Sequence, residues 1–257
     1  MVAGLDKFRE FFAGYEERYA LIGGAACDLL FAEAALPYRL TKDLDLVICV
    51  EVVDADFATR FQEFLDTGGY ENRLTAEGER KFYRFDKPAD SAFPAMIELF
   101  ARPDVTLEIP DDQRYARLKV EDAVASLSAL LLDPDYYEAL VNNRRTVDGL
   151  TILTENLLIP FKAKAFLDLS QRKAAGERID GNDVRKHRND VFRLLQLMPG
   201  DRRVELPDVI KADLEQFVAA IAEEDIKPKD FNVALTKAEG IELIAEIYLT
   251  APKAESR

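Results

Sequence analysis

Two aspartates stand two residues apart at the entry to an apolar segment. Asp43 and Asp45 belong to KDLDLVICV, in which Leu44–Val50 is predicted to form a buried strand. Alternate residues of a strand share one face, so both carboxylates are expected on the same side of the sheet. Adjacent carboxylates repel each other unless a cation lies between them, and oxygen ligands suit Mg²⁺ or Mn²⁺. The pair therefore predicts a divalent metal site.

A third carboxylate and a glycine pair are candidates for the same site. Glu98 lies in AMIELF, a predicted strand in which an unpaired charge would be costly. Beside the aspartate strand it would give the three carboxylates that two-metal phosphoryl transfer uses. Gly23-Gly24 separates the predicted strand Tyr19–Ile22 from the predicted helix Ala25–Ala35, so its amides could hold phosphate. Each feature alone is also explained by a solvated strand start, a salt bridge or a plain turn, and their order along the chain favours a site.

The composition excludes several other chemistries. The 257 residues include 48 Asp and Glu but a single histidine, His187, on which any Ser-His-Asp or Cys-His site would depend. Cys27 and Cys49 lack the spacing of zinc ligands. The first residues, MVAGLDKFREFF, carry charges where the apolar centre of a signal peptide would be expected, and no apolar run reaches the roughly 20 residues that a membrane helix needs. We therefore expect acid-based chemistry in a cytoplasmic protein that does not engage a membrane.

The periodicity predicts an α+β fold, with a mixed sheet flanked by helices and a helical region after it. The first half alternates helices and strands, and the second half is mainly helical. The change of element type places a catalytic domain at 1–150 and a helical domain at 151–257. Predicted helices are 5–18, 25–35, 54–65, 121–132, 157–169, 183–197, 214–222 and 238–248; predicted strands are 19–22, 44–50, 81–85, 95–100 and 147–153.

The basic residues are concentrated in one segment. Residues 160–203 carry eleven basic and six acidic side chains within a chain of net charge −14, so the rest of the chain carries −19. A local excess of this kind favours a localised phosphate or nucleic-acid site over general coating of nucleic acid. A solvated helical face is the alternative explanation.

Two groups of motifs resemble known enzymes. LIGGAACDLL, LPYRLTKDLDLVI and AMIELF resemble the nucleotidyltransferase superfamily with the DNA polymerase β-type core. VDGLTILTENLLIPFKAKAFLDL and RKHRNDVFRLL resemble the distal region of the AbiEii-type nucleotidyltransferases, the toxins of bacterial type IV toxin–antitoxin and abortive-infection systems. The resemblance covers most of residues 19–197 and does not extend beyond about residue 200.

The resemblance implies a role for each matching residue. Asp43, Asp45 and Glu98 match the metal-binding and catalytic carboxylates. The positions that match nucleotide-binding residues are Gly23, Gly24, Arg39, Thr41, Lys162 and Asp190, with Lys164 as the alternative to Lys162 because K-A-K-A allows either register. The chain departs from the family pattern in having Gly24 where many members carry Ser, a longer stretch from Gly24 to Asp43, and Glu as the third carboxylate.

The resemblance implies a magnesium-dependent enzyme that moves a nucleoside monophosphate from an NTP to a hydroxyl acceptor. The acceptor stays open among tRNA, a protein and a small molecule, and so does the identity of the NTP. A toxin of this type would have a cognate antitoxin as its partner. The alternatives are an aminoglycoside-type small-molecule nucleotidyltransferase and a non-catalytic NTP-binding module on the same fold.

Overall fold

The computed structural model describes residues 3–38, 43–48, 55–77, 80–101 and 133–250. Within these ranges, the backbone alone is described at 43–48, 55, 71–77, 80–84 and 99–101. The helix predicted over 121–132 lies outside the described residues.

A seven-stranded mixed sheet forms the first part of the described chain, as predicted for an α+β fold. The spatial order is β3-β4-β5-β2-β1-β7-β6, so β2 is the central strand. The β1–β7 and β2–β5 pairs are parallel, and the other neighbours are antiparallel. The strands are β1 Tyr19–Ile22, β2 Asp43–Ile48, β3 Glu71–Glu77, β4 Arg80–Asp86, β5 Met96–Ala101, β6 Arg144–Val147 and β7 Leu150–Leu153.

Helices accompany the sheet and make up the C-terminal part of the described chain. Short 3₁₀ turns occur at Glu16–Arg18 and Pro228–Phe231, and a π-helical turn occupies Ala245–Leu249. The described helices are α1 Leu5–Phe11, α2 Gly23–Glu33, α3 Ala55–Gly68, α4 Pro134–Asn142, α5 Glu155–Ala174, α6 Gly181–Leu195, α7 Asp208–Ala222 and α8 Lys237–Ile244. None of these helices is long and apolar enough to span a membrane.

The chain divides into two compact units. One unit comprises residues 1–132 and 140–154, and the other comprises residues 133–139 and 155–257. The assignment of a catalytic domain to residues 1–150 and of a helical domain to residues 151–257 stays a prediction.

An aromatic cluster forms the core of the first unit. Phe8 of α1 and Phe12, which directly follows the helix, are fully buried, and their rings stack with centroids 4.4 Å apart. Phe12 also meets Phe64 of α3 edge-on at 5.4 Å. The predicted helix over 5–18 is shorter than expected and ends at Phe11, because the chain turns at Gly14 with a φ of +88°.

The second unit is built around α5, which packs against α6 and α7. Its apolar face buries residues such as Leu158 and Phe166, and Phe166 meets Phe217 of α7 edge-on at 5.4 Å. The helix begins at Glu155, two residues before the predicted start at 157, so Pro160 lies in its interior. The Thr154 hydroxyl, directly before the helix, is buried without a hydrogen-bond partner among the described residues and so does not cap it.

The segment from Asp133 to Leu153 differs most from the sequence prediction. No helix was predicted between 133 and 146, but α4 begins at Pro134, and the Asp133 carboxylate accepts a hydrogen bond from the Asp135 amide at 2.9 Å. The single strand predicted over 147–153 is a hairpin of β6 and β7. Its turn residues Asp148 and Gly149 both have positive φ, at 49° and 71°, the geometry that a two-residue Asp-Gly turn favours.

Candidate functional site

Three neighbouring strands bring the predicted carboxylate positions into one row. In the β1–β2 pairing, Ile22 is the partner of Asp45. In the parallel β2–β5 pairing, Asp45 is the partner of Glu98, and Asp43 is the partner of Met96. Cross-strand partners occupy the same face of a sheet, and so do alternate residues of one strand. The register therefore gives Asp43, Asp45 and Glu98 positions on one face of the central strands.

The glycine pair lies at the end of the same row. Gly23 directly follows Ile22, has a φ of +67° and is the first residue of α2, two residues earlier than the sequence predicted. Glycine adopts a positive φ without steric cost, which allows the chain to pass from an extended strand into a helix within one residue. The first turn of α2 contains no acidic residue, so its amide groups face no carboxylate of that turn.

Glu98 is a buried acid whose register partners are an aspartate on one side and an arginine on the other. Its exposed fraction is 6%. Asp45 is its partner on β2, and Arg84 is its partner on β4. A buried carboxylate needs a compensating cation. A divalent metal beside Asp45 would supply one, and the residue type at the partner position on β4, arginine, is also cationic.

Two of the predicted nucleotide-binding residues, Arg39 and Thr41, lie outside the described residues. The side chains of Asp43 and Asp45 are outside them as well. Among the side chains that the structure does describe, no three His, Cys, Asp or Glu residues gather where they could hold a metal ion. The three carboxylates are therefore grouped by the register of their backbones alone.

The distal lysine and aspartate lie together in the second unit. Lys162 Nζ on α5 is 3.4 Å from Asp190 Oδ2 on α6, with side-chain exposures of 8% and 0%. The other oxygen, Asp190 Oδ1, accepts a hydrogen bond from Arg193 at 2.9 Å. The cationic partners of Asp190 among the described residues are thus Lys162 and Arg193, and Lys186, one turn earlier on α6, is not one of them.

Lys164, the alternative to Lys162, has a different partner. Its Nζ is 2.6 Å from Asp213 Oδ1 on α7, and the Tyr136 hydroxyl donates to Asp213 Oδ2 at 2.9 Å. Burial raises the pKa of Tyr136 well above its usual value, and the adjacent Asp213 carboxylate raises it further. Tyr136 is packed inside and does not form an open stacking surface. Sequence reasoning missed Asp213, although its spacing from Ile210 and Phe217 marked it as an acid on the apolar face of α7.

The basic segment separates into paired and unpaired side chains. Five of its eleven cations form ion pairs with carboxylates: Lys162, Lys164, Arg172, Arg188 and Arg193. The other six are exposed and form no ion pair with a described carboxylate: Lys173, Arg178, Arg185, Lys186, Arg202 and Arg203. Lys173 and Arg185 converge at the start of α6, where a Cβ atom on Gly181 would lie 2.8 Å from Lys173 Nζ and 3.3 Å from an Arg185 nitrogen.

Comparison with known proteins gives limited similarity. No family model matches the chain, and no curated protein matches it. Among solved structures, the chain is similar to the crystal structure of an antigenic nucleotidyltransferase-like protein from Paracoccidioides brasiliensis. That similarity has a TM-score of 0.42 and 19% sequence identity, over 86% of this chain and 91% of the other. A similarity of this size does not assign an activity to the chain.

Proposed function

We propose that this chain is a Mg²⁺-dependent nucleotidyltransferase that moves a nucleoside monophosphate from an NTP to a hydroxyl acceptor. The observation that carries the proposal is the strand register Ile22–Asp45–Glu98. It aligns a buried glutamate, one member of the aspartate pair and the residue before the glycine turn across three adjacent strands. Carboxylates can bind the metal ion, and the free amide groups at the start of a helix can bind the phosphates of a triphosphate.

The proposed ligands are carboxylate oxygens, the type of donor that Mg²⁺ prefers. Asp43, Asp45 and Glu98 would hold Mg²⁺, since it takes oxygen ligands and is commonly bound through carboxylates together with substrate phosphates. When bound, the ion neutralises charge on the phosphates and on the departing pyrophosphate. The three carboxylate positions lie on neighbouring strands of one sheet, and this rigid support would keep their spacing fixed.

The residues of the chain divide the remaining work. The Gly23 and Gly24 amides, at the positive end of α2, would hold the outer phosphates of the NTP. Glu98 would take the proton of the acceptor hydroxyl as the hydroxyl oxygen bonds to the α-phosphorus. The bond from that phosphorus to the bridging oxygen breaks, and pyrophosphate carries away the electron pair. Lys162, with Arg39 and Thr41, would supply further contacts to the nucleotide.

The AbiEii-type assignment extends this proposal. On that assignment the enzyme is a toxin that uses cytoplasmic NTPs and is held in check by a cognate antitoxin. The exposed basic side chains around the start of α6 favour RNA, such as a tRNA end, over a protein acceptor. An aminoglycoside acceptor remains the competing proposal, and it is separated from RNA by the same assay.

The test is transfer of label from α-labelled NTPs in the presence of Mg²⁺. Purified protein is given each NTP in turn with total RNA, cell extract or aminoglycosides. We expect one acceptor to become labelled and the label to be lost in Asp43→Ala and Asp45→Ala. Growth arrest on expression should disappear in the same two variants if the enzyme is a toxin.

Asp56→Ala is the matched control, because Asp56 is an exposed aspartate in the first turn of α3. Its labelling should equal that of the unmodified chain. Equal labelling by the Asp43 and Asp45 variants would contradict the metal assignment. NTP binding without transfer to any acceptor would instead favour a non-catalytic NTP-binding module.

A further inference from the structure

The cluster around Asp190 contains more positive than negative charge. Lys162 and Arg193 contact different oxygens of the same carboxylate, at 3.4 Å and 2.9 Å, and Arg193 is only 17% exposed. Within the described residues, the group therefore carries two cations and one anion in a largely buried setting. Excess buried charge is costly unless an ion of opposite sign compensates it.

Two other ion pairs of the second unit each join one cation to one carboxylate. Arg188, also on α6, pairs with Glu224, and Lys164 pairs with Asp213. In these two pairs a single cation compensates the carboxylate. The second cation on Asp190 therefore calls for a separate explanation.

Arg193 is held in place from its other side as well. Its guanidinium lies over the Phe231 ring, 5.4 Å from the ring centroid. Phe231 ends the 3₁₀ turn Pro228–Phe231 and meets Phe192 edge-on at 6.2 Å. Both the carboxylate and the ring therefore restrict the position of the Arg193 side chain.

We infer that Arg193 is a positioning residue that keeps Lys162 available to the triphosphate of the substrate. By sharing the Asp190 carboxylate, Arg193 prevents it from fully neutralising Lys162, and the cluster keeps a net positive charge for an anion. The inference rests on the proposed function, because it takes Lys162 to be the nucleotide-binding lysine. It also gives residues beyond 200 a role, since Phe231 fixes Arg193.

The test measures binding of inorganic tripolyphosphate by calorimetry at low salt in EDTA, so that neither base identity nor metal affects the result. Lys162→Met defines the share of binding that belongs to this cluster. We expect Arg193→Met to weaken binding about tenfold, as removal of one unit charge at a distance of roughly 8 Å in a partly screened setting predicts. The dependence of this affinity on salt concentration should become weaker in Arg193→Met. Arg193→Lys should restore both the affinity and its salt dependence.

Arg188→Met is the matched control, because it removes another partly buried arginine of α6 that has its own carboxylate. Thermal unfolding of each variant reports whether the fold is kept. Should Arg193→Met not fold, Phe231→Leu replaces it and is expected to weaken binding by a smaller factor.

The results separate this inference from the proposed function. Equal binding by Arg193→Met and Arg188→Met, or no tripolyphosphate binding by the unmodified chain, would overturn the inference whatever the transfer assay gives. Arginine-dependent binding in a protein that transfers no nucleotide would support the inference and count against the proposed function.

Discussion

A single substitution at Glu98 can distinguish a catalytic role of this residue from a structural one. It is buried on β5 between the register positions of Asp45 and Arg84. Glu98→Gln keeps the shape and removes the charge. If Glu98 is the catalytic base, we expect nucleotide transfer to fall by about 10² to 10⁴-fold. Urea unfolding of the same variant is measured as well. If Glu98 forms a buried ion pair with Arg84, its partner in the register, loss of that pair would lower the free energy of unfolding by about 3–5 kcal/mol.

The two measurements distinguish the two roles. Lost transfer with retained stability supports catalysis. Unchanged transfer per folded molecule with lost stability would show that Glu98 serves mainly to pair with Arg84, and would remove it from the proposed site.

At the level of elements, the Asp213 carboxylate joins α4, α5 and α7 through Tyr136 and Lys164. Because the folded-state pKa of Tyr136 is raised, this tyrosine stabilises the fold below pH 10, the ordinary pKa of tyrosine, and the contribution is lost as the pH rises beyond that value. We expect Tyr136→Phe to lose the hydrogen bond, at about 1.5–3 kcal/mol for a charged acceptor, and to show a weaker decline of stability above pH 10.

Urea titrations at several pH values between 7 and 11 check this prediction. Tyr19, Tyr70 and Tyr248 also have raised pKa values because of burial, so the difference between the variant and the unmodified chain is the relevant quantity. A difference that stays constant across pH 10 would contradict a role for Tyr136 ionisation.

Elements with strong local patterns could be predicted from the sequence, and polar ones could not. The apolar run YALI predicted β1 at its observed bounds, and the Gly-Gly pair marked the strand-to-helix turn correctly. Strand β3, Glu71–Glu77, was missed because ENRLTAE lacks an apolar run and is held by pairing with β4. Its formation depends on the neighbouring strand, which local periodicity does not reveal.

The candidate site also contains residues that could be predicted from the sequence and contacts that could not. Spacing along the chain was enough to select Asp43, Asp45 and Glu98 as one group, and strand register aligns their positions. The partners of the distal lysines depend on tertiary contacts. Asp213 lies 49 residues from Lys164, and Asp190 lies 28 residues from Lys162, so neither pairing has a local signal.

At the scale of the whole molecule, charge pairing decides which basic residues can meet a polyanion. The chain has a net charge of −14, and five of the cations in 160–203 are already paired with carboxylates. We therefore expect weak RNA binding that depends on the exposed cations. The double change Lys173→Gln with Arg185→Gln should lower RNA affinity and reduce the salt slope by about 0.7 for each phosphate of a single strand that the protein no longer neutralises.

The control is Arg172→Gln with Arg188→Gln, which removes the same formal charge from two paired arginines. Filter binding of labelled RNA over a range of KCl concentrations gives the affinity and slope for each protein. Equal effects of the two double variants would mean that net charge alone governs RNA binding and that no local basic site exists.

The central position of β2 has a consequence for how the protein opens. Both edges of β2 are hydrogen-bonded, to β1 and β5, and two further strands flank it on each side in β4-β3 and β7-β6. Transient opening begins where the fewest bonds must break, so β3 and β6 can fray while the three inner strands stay joined. Backbone amides of β2 should thus be among the slowest in the sheet to exchange with solvent deuterium. Partial fraying would leave the row Ile22–Asp45–Glu98 intact, and the row would be lost only when the sheet itself comes apart.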